Sequence, residues 1–188
     1  MSHDLVHDPA FHQFLLAADR ELAEAARIGG CGRCGGKLHR ADYLRHPERG
    51  PEREAVRFSF CCATDGCRRR RTPSSMRFLG RRVYLGLVVV LASVFWQGLT
   101  PRRVKRIEDV LGVSERTLGR WRKWWLREFA QCQLWRSRRG RFGEPVAPDR
   151  LPTSLFERFE GDERSRLLSM LRFLLPITGG KGLAAQAF

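Results

Sequence analysis

The sequence predicts a mainly α-helical fold that carries a small β zinc ribbon and a three-helix helix-turn-helix bundle, with further helices at both ends. Two observations favour this class. Apolar residues recur at helical spacing on both sides of one cysteine-bearing segment, and short strand-like alternation replaces that spacing inside it. We expect an N-terminal helix over residues 1–30, the ribbon over 31–79, the bundle over 80–135, a linker over 136–153, and a C-terminal helical segment with a tail over 154–188.

The N-terminal helix has clear boundary signals. Asp8-Pro9 is typical of an N-cap followed by the first helical position, and Gly29-Gly30 is typical of a helix end. Further along, Arg57 to Cys61 alternates as a short strand does, with Phe58 and Phe60 on one face. The sequence therefore predicts that a helix leads directly into the cysteine-bearing segment.

Residues 111–121 predict the turn and recognition helix of a helix-turn-helix. Gly112 gives the turn its backbone freedom, Val113 fills the angle between the helices, and Ser114 is a suitable N-cap. We expect the preceding helix to run from Thr100 to Leu111. The recognition helix should run from Glu115 to Phe129, with an inward stripe at Leu118, Trp121 and Trp125.

The outward face of that recognition helix is basic. Arg116 and Arg120 are the candidates for reading bases, because arginine can bond guanine through two parallel hydrogen bonds. Backbone contacts are expected from Thr117, Arg122 and Lys123 in the same helix and from Arg102, Arg103, Lys105 and Arg106 at the start of the preceding helix. The alternative is an ordinary helical hairpin with a solvated basic face.

The cysteines predict a structural zinc site. Cys31-Gly-Arg-Cys34 brings two thiolates to one ion, and Cys62 with Cys67 supplies the second pair 27 residues further on. Cys61 is the rival of Cys62, and we favour Cys62 because it leaves the shorter turn. His39 or His46 could replace a cysteine, although four thiolates fit the pattern better. Cys132 stands apart and is expected to be a buried apolar side chain.

The net charge of +15 is concentrated in one part of the chain. Residues 68–141 contain 20 lysines and arginines but only 4 acidic residues, which favours a nucleic-acid partner. Within this block Arg68, Arg69, Arg70 and Arg71 form a run that we expect to contact phosphates, although a solvated run is the alternative. A membrane surface is less suitable, since no lipidation signal is present.

Two further features concern the location of the protein. The N-terminus is polar and acidic, unlike a secretory signal, and the apolar run Val83–Trp96 has 14 residues, too few to cross a bilayer. We expect that run to form a buried helix and the protein to be cytoplasmic and nucleoid-associated, without membrane contact. Leu167, Leu171 and Leu174 repeat at helical spacing and would either bind a partner or a second copy, or pack on the bundle.

Taken together, Cys31-x-x-Cys34, Cys62-x4-Cys67 and the segment Leu111–Trp121 resemble the DNA-binding N-terminal part of several bacterial insertion-sequence transposases and of mobile-element accessory proteins. The resemblance spans residues 31–127. It implies that the ribbon and helices recognise double-stranded DNA at element ends or a related site, with a transposase or recombinase as a possible partner.

About 60 residues follow the predicted helix-turn-helix, and they contain no constellation of carboxylates suited to two-metal strand transfer. We therefore expect a DNA-binding protein of mobile elements without its own catalytic domain. A transcriptional regulator is the alternative within the same class. A transposase or nuclease that uses Glu157, Asp162 and Glu163, or a zinc-ribbon module that binds RNA or protein, are the alternatives from other classes.

Overall fold

The computed structural model describes residues 3–45, 55–79, 86–96, 105 and 113–179. These residues are mostly helical, with small antiparallel sheets, as the sequence predicts. The α-helices are α1 (His3–His7), α2 (Pro9–Ile28), α3 (Gly86–Trp96), α4 (Glu115–Lys123), α5 (Gln133–Arg138), α6 (Thr153–Phe156) and α7 (Glu163–Leu174). The strands are β1 (Leu38–Arg40), β2 (Tyr43–Arg45), β3 (Ala55–Arg57), β4 (Phe60–Cys62) and β5 (Arg70–Arg71).

Helix α2 begins and ends where its sequence signals indicate. The Asp8 carboxylate accepts a hydrogen bond from the amide of Ala10 at 2.9 Å, Pro9 occupies the first turn, and Gly29 ends the helix. The described residues have one hydrophobic cluster among the helices and a smaller one at the sheet. Buried residues of α2 belong to both clusters, so α2 joins the helical core to the sheet.

The strands form two small sheets. One has the order β1-β4-β5, with Leu38 opposite Cys62 and Phe60 opposite Arg71, and the other pairs β2 with β3. The predicted strand from Arg57 to Cys61 is divided, because Phe58 and Ser59 separate β3 from β4. Phe58 and Phe60 are both buried against α2. The sheet therefore has a small apolar core of its own.

The main core is a single cluster built from most of the helices. Helix α3 is buried throughout its described side chains, which confirms the prediction of a buried helix for that part of the chain. Leu167, Leu171 and Leu174 of α7 lie in the same cluster, and α7 contacts α3. These leucines therefore pack within the chain's own core, which is the second of the two interpretations given above.

Residues 136–153, predicted as a linker, contribute to this core. They include the end of α5, the 3₁₀ turns Arg139–Arg141 and Pro148–Arg150, and the buried side chains Val146 and Leu151. A high content of glycine, proline and arginine therefore marks irregular backbone here, but the segment is anchored by apolar contacts on either side of its turns.

The helix that contains α4 continues past Lys123 as a π-helical segment, Trp124–Phe129. Trp124, Trp125 and Phe129 are buried there, with the rings of Trp125 and Phe129 4.7 Å apart. Cys132 is buried as predicted, and its sulfur accepts a hydrogen bond from the Trp135 amide at the start of α5. The predicted helix Glu115–Phe129 is thus present, with a wider turn where the aromatic residues pack.

Candidate functional site

Four cysteines from two turns converge on one point. The sulfur atoms of Cys31, Cys34, Cys62 and Cys67 all lie within 4.8 Å of one another. Cys31 and Cys67 are 3.8 Å apart at their Sγ atoms, and Cys34 and Cys62 are 3.4 Å apart. These are the four ligands that the spacing predicts, and their arrangement is compatible with a single metal site.

The backbone of each turn is folded so that its cysteines point inward. In the first turn the Cys31 amide donates to the Gly36 carbonyl at 2.9 Å, which closes a loop around Cys34. In the second turn the Cys67 amide donates to the Thr64 carbonyl at 3.1 Å, and Gly66 has a φ of 77°. A left-handed residue directly before Cys67 is needed for this closure, and glycine adopts it without steric cost.

Cys62, and not Cys61, faces the cluster. Cys62 lies at the end of β4 and is fully buried beside Cys34. The adjacent Cys61 points to the other side of the strand, where its sulfur lies 3.3 Å from the Arg68 carbonyl oxygen. His39 is opposite Cys61 in the strand register and is exposed, whereas His46 lies outside the described residues. The alternation of strand side chains thus separates the two neighbouring thiols.

The thiols differ in how readily they lose a proton. A hydrogen bond from the Gly36 amide, helped by Thr64, Cys62 and Cys67, lowers the pKa of Cys34 to about 6. At Cys67 the Arg69 amide favours the thiolate, but the neighbouring cysteines and burial outweigh it and raise the pKa to about 11. A metal ion bound by all four sulfurs would release the protons that these thiols still hold, because coordination requires thiolates.

The sulfur spacing fits a tetrahedral metal ion better than disulfides. An S–S bond is about 2.05 Å long, well below the separations in this cluster, and all four thiols are free. Zinc–sulfur bonds of about 2.3 Å place the sulfur atoms of a tetrahedral site about 3.8 Å apart. Separations of 3.4 and 3.8 Å lie close to that value.

Gly36 and Thr64 also shape the cluster, although the sequence did not single them out. A Cβ atom on Gly36 would lie 2.2 Å from Thr64 Oγ1 and 3.3–3.4 Å from the sulfurs of Cys34 and Cys62. No side chain fits in that space. The signal in the sequence was the glycine pair that follows Cys34, which a tight turn alone also explains.

We expect Gly36→Ala to reduce the metal affinity of the cluster by at least an order of magnitude, because the new methyl group displaces Thr64 or a ligand sulfur. Gly32→Ala is the matched control, since a Cβ atom there meets nothing within 4 Å. Competition with a colorimetric zinc chelator measures both variants. Equal affinities for the two variants would contradict the close packing around Gly36.

The arginine run after the last cysteine is largely held by the chain itself. Arg71 is half-buried and donates a hydrogen bond to the Gly30 carbonyl at the end of α2. Arg70 donates to the Ala41 carbonyl at 2.9 Å and lies over the Tyr43 ring at 5.3 Å. These two guanidinium groups therefore fasten the sheet to its surroundings.

Arg68 and Arg69 differ in their availability. Arg68 forms an exposed ion pair with Asp65 at 2.9 Å. Arg69 is exposed, and its side chain has no partner among the described residues. Within this run Arg69 has no partner among the described residues, Arg68 is weakly paired, and Arg70 and Arg71 are held by the chain, so phosphate contact by the run stays a prediction.

Helix α4 separates buried and exposed residues as predicted. Val113, Leu118, Trp121 and Trp125 are buried, and the Ser114 side chain caps the helix by accepting from the Thr117 amide at 3.4 Å. The cations on the other side are exposed, namely Arg116, Arg120, Arg122, Lys123 and Arg127.

Thr117 does not contribute to this exposed surface. Its side chain is only 4% exposed, and its hydroxyl oxygen accepts a hydrogen bond from Arg120 at 2.9 Å. A backbone phosphate cannot reach a buried hydroxyl, so the contact predicted for Thr117 is corrected to a role in holding Arg120.

The predicted first helix of the pair falls mainly outside the described residues. Arg102, Arg103 and Arg106 lie outside them, as do Leu111 and Gly112 of the turn. Lys105 is described and is helical and exposed.

Residues 113–141 contain an excess of unpaired positive charge. Nine lysines and arginines stand against Glu115 and Glu128, and none of the nine forms an ion pair within the described part of the chain. Outside this segment the ion pairs among the described residues include Arg27–Glu24, Arg68–Asp65, Arg77–Asp19, Arg150–Glu157, Arg158–Glu144 and Arg164–Asp8. Other described cations, such as Arg33, Lys37 and Arg69, also lack ion pairs, but residues 113–141 bring nine of them together with only two acidic residues.

Comparisons with protein-family models, curated proteins and solved structures find no significant match to this chain. Among the described residues, no helix is both long and apolar enough to cross a membrane.

Proposed function

We propose that this protein binds double-stranded DNA through α4, the recognition helix of a helix-turn-helix, and that a zinc ribbon built on the four cysteines supports it. The observation that carries the proposal is the unpaired positive charge of residues 113–141, eight of whose nine cations are exposed. Exposed cations without ion pairs attract polyanions and release counterions on binding.

The capped, amphipathic form of α4 supports a helix that enters the major groove. Its apolar side is anchored by Leu118, Trp121 and Trp125, so the opposite side is free to face DNA. Arg116 lies in the first turn of the helix, where base edges are read, and Arg120 lies one turn further on; Arg122 and Lys123 would contact phosphates. Arg120 is already oriented by its hydrogen bond to Thr117, which lowers the entropy lost on binding.

Zinc has a structural role in this proposal. Four thiolates complete a tetrahedral shell and leave no position for a reactive water molecule, so the ion holds the sheet together and does no chemistry. The order of ribbon and helix-turn-helix favours a DNA-binding protein of mobile elements. In that setting the chain selects the site and a separate transposase or recombinase acts there.

Binding to duplex DNA tests the proposal directly. We expect fluorescence anisotropy with a labelled duplex pool to show binding at 50 mM salt that weakens about 10²- to 10³-fold by 200 mM, as four to six phosphate contacts require. Selection from random duplexes should enrich a short motif. Absence of binding at 50 mM salt, or affinity that does not change with salt, would refute the proposal.

Two arginine variants locate the interface. Arg116→Ala should weaken binding to the selected motif by about 1–3 kcal/mol and relax the sequence preference at one base pair. Arg150→Ala is the control, because Arg150 is exposed but already paired with Glu157 outside the basic segment. Equal losses in both variants would place the interface elsewhere.

A further inference from the structure

The outward face of α4 has a residue without a side chain, Gly119, at its centre. Gly119 lies one helical turn from each of four charged residues, which surround it on the exposed side, namely Glu115, Arg116, Arg122 and Lys123. The buried residues Leu118 and Trp121 lie on the opposite side of the helix. Gly119 itself is half-buried, and the helix carries no side chain at the centre of this charged surface.

No described residue requires a glycine at this position. A Cβ atom on Gly119 meets no described atom within 4 Å, and the residue has ordinary helical backbone without a positive φ. Glycine inside a helix is less stable than alanine because it loses more backbone entropy on folding. At Gly86, by contrast, Leu171 Cδ2 and the Arg77 carbonyl oxygen would both lie 3.4 Å from a Cβ atom, so packing explains that glycine.

Because glycine has no side chain, a partner molecule can come closer to the helix backbone at this position than at any other residue type. The four surrounding side chains are long. They can therefore extend along both sides of a partner molecule that contacts the helix at Gly119. Three of the four are cations without ion pairs among the described residues, which selects a negatively charged partner. A duplex groove has the matching form, with base edges at its floor and phosphates along both walls.

We propose that Gly119 is the point of closest approach between this protein and DNA, where the backbone of α4 rests against the groove without an intervening side chain. The inference depends on the proposed DNA-binding function. Arg116 and Lys123 then extend from positions flanking the contact towards the bases and the phosphate wall. The glycine allows the helix to enter the groove more deeply, although it makes the helix less stable than alanine would.

The variant Gly119→Ala separates folding from binding. We expect it to raise the thermal midpoint of the zinc-loaded protein by about 1–4 °C, because alanine favours the helix. The same variant should bind the selected duplex about tenfold more weakly, since its methyl group holds the helix off the groove. Gly143→Ala is the matched control, because a Cβ atom there also meets nothing within 4 Å and Gly143 lies outside both α4 and the basic segment 113–141.

Each outcome decides the matter. A raised midpoint with weakened binding for Gly119→Ala alone supports the inference. A raised midpoint with unchanged affinity overturns it but leaves the DNA-binding proposal intact. A lowered midpoint shows that the fold itself needs the glycine and also overturns the inference. Failure of the unaltered protein to bind any duplex removes the proposed function and this inference together.

Discussion

The purified protein is expected to hold one zinc ion per chain, and Cys62→Ser is expected to lose that ion to a chelator under conditions where the unaltered protein retains it. Cys62 is fully buried, and its sulfur lies 3.4 Å from that of Cys34. Serine replaces a soft thiolate with a hydroxyl that zinc binds poorly, so one of the four ligands is lost. Elemental analysis after dialysis against the chelator measures the result.

The effect on stability should be large because the sheet has little else to hold it. Its apolar cluster is limited to a few side chains from α2 and the strands, together with two of the cysteines. Structural zinc contributes about 10–16 kcal/mol in small zinc-finger peptides, as much as the whole folding free energy of a typical domain. We expect the zinc-free protein to lose the order of residues 31–71 first, which hydrogen exchange can follow.

Cys61→Ser provides a stringent control. It changes the same atom in the neighbouring residue, but Cys61 faces the Arg68 carbonyl and lies outside the cluster. We expect this variant to retain one zinc ion with unchanged affinity. Loss of zinc from Cys61→Ser with retention in Cys62→Ser would overturn the ligand assignment, and absence of zinc from the unaltered protein would overturn the site itself.

The features that the sequence predicts well are those set by neighbouring residues. Ser114 caps α4 and Asp8 caps α2 because an N-cap depends only on the residue and the amides that follow it. The stripe of Leu118, Trp121 and Trp125 is buried because helical spacing alone places these residues on one face. The four cysteines could be paired for a similar reason, since short turns fix each pair.

Long-range packing explains most of what the sequence did not predict. Arg70 and Arg71 belong to an uninterrupted basic run, yet strand pairing carries them to Ala41 and Gly30, more than 25 residues away in the chain. Val146 and Leu151 lie in a segment with loop composition and are buried nevertheless. No local pattern shows which distant surface covers such residues.

Asp19 is another residue whose surroundings are set by distant parts of the chain. It lies on the apolar face of α2, four residues after Leu15, and is 1% exposed. Its carboxylate accepts hydrogen bonds from the Ser75 hydroxyl and the Met76 amide, both at 2.6 Å, and from Arg77 Nε at 3.0 Å. The sequence of α2 alone does not explain a carboxylate on its apolar face, because the partners that satisfy it are 56–58 residues away in the chain.

Two buried guanidinium groups lie around this carboxylate. Arg77 is paired with Asp19 directly, and Arg57 lies nearby, donating to the Pro73 carbonyl at 2.6 Å and the Thr178 carbonyl at 3.1 Å. Burial lowers the pKa of Arg57, while the charge of Asp19 opposes that shift. The group thus connects α2, the strand β3 and the end of the C-terminal helical segment around the Asp19 carboxylate.

We expect Asp19→Asn to lower the free energy of unfolding by about 3–5 kcal/mol, because it keeps the size of the side chain but removes a buried, hydrogen-bonded counter-charge from Arg77. Urea denaturation of the zinc-loaded protein, followed by tryptophan fluorescence, measures the change. Glu24→Gln is the matched control on the same helix. Its ion pair with Arg27 is exposed, so its loss should leave the free energy of unfolding almost unchanged. An equally small effect of Asp19→Asn would show that the carboxylate does not hold the sheet to the helical core.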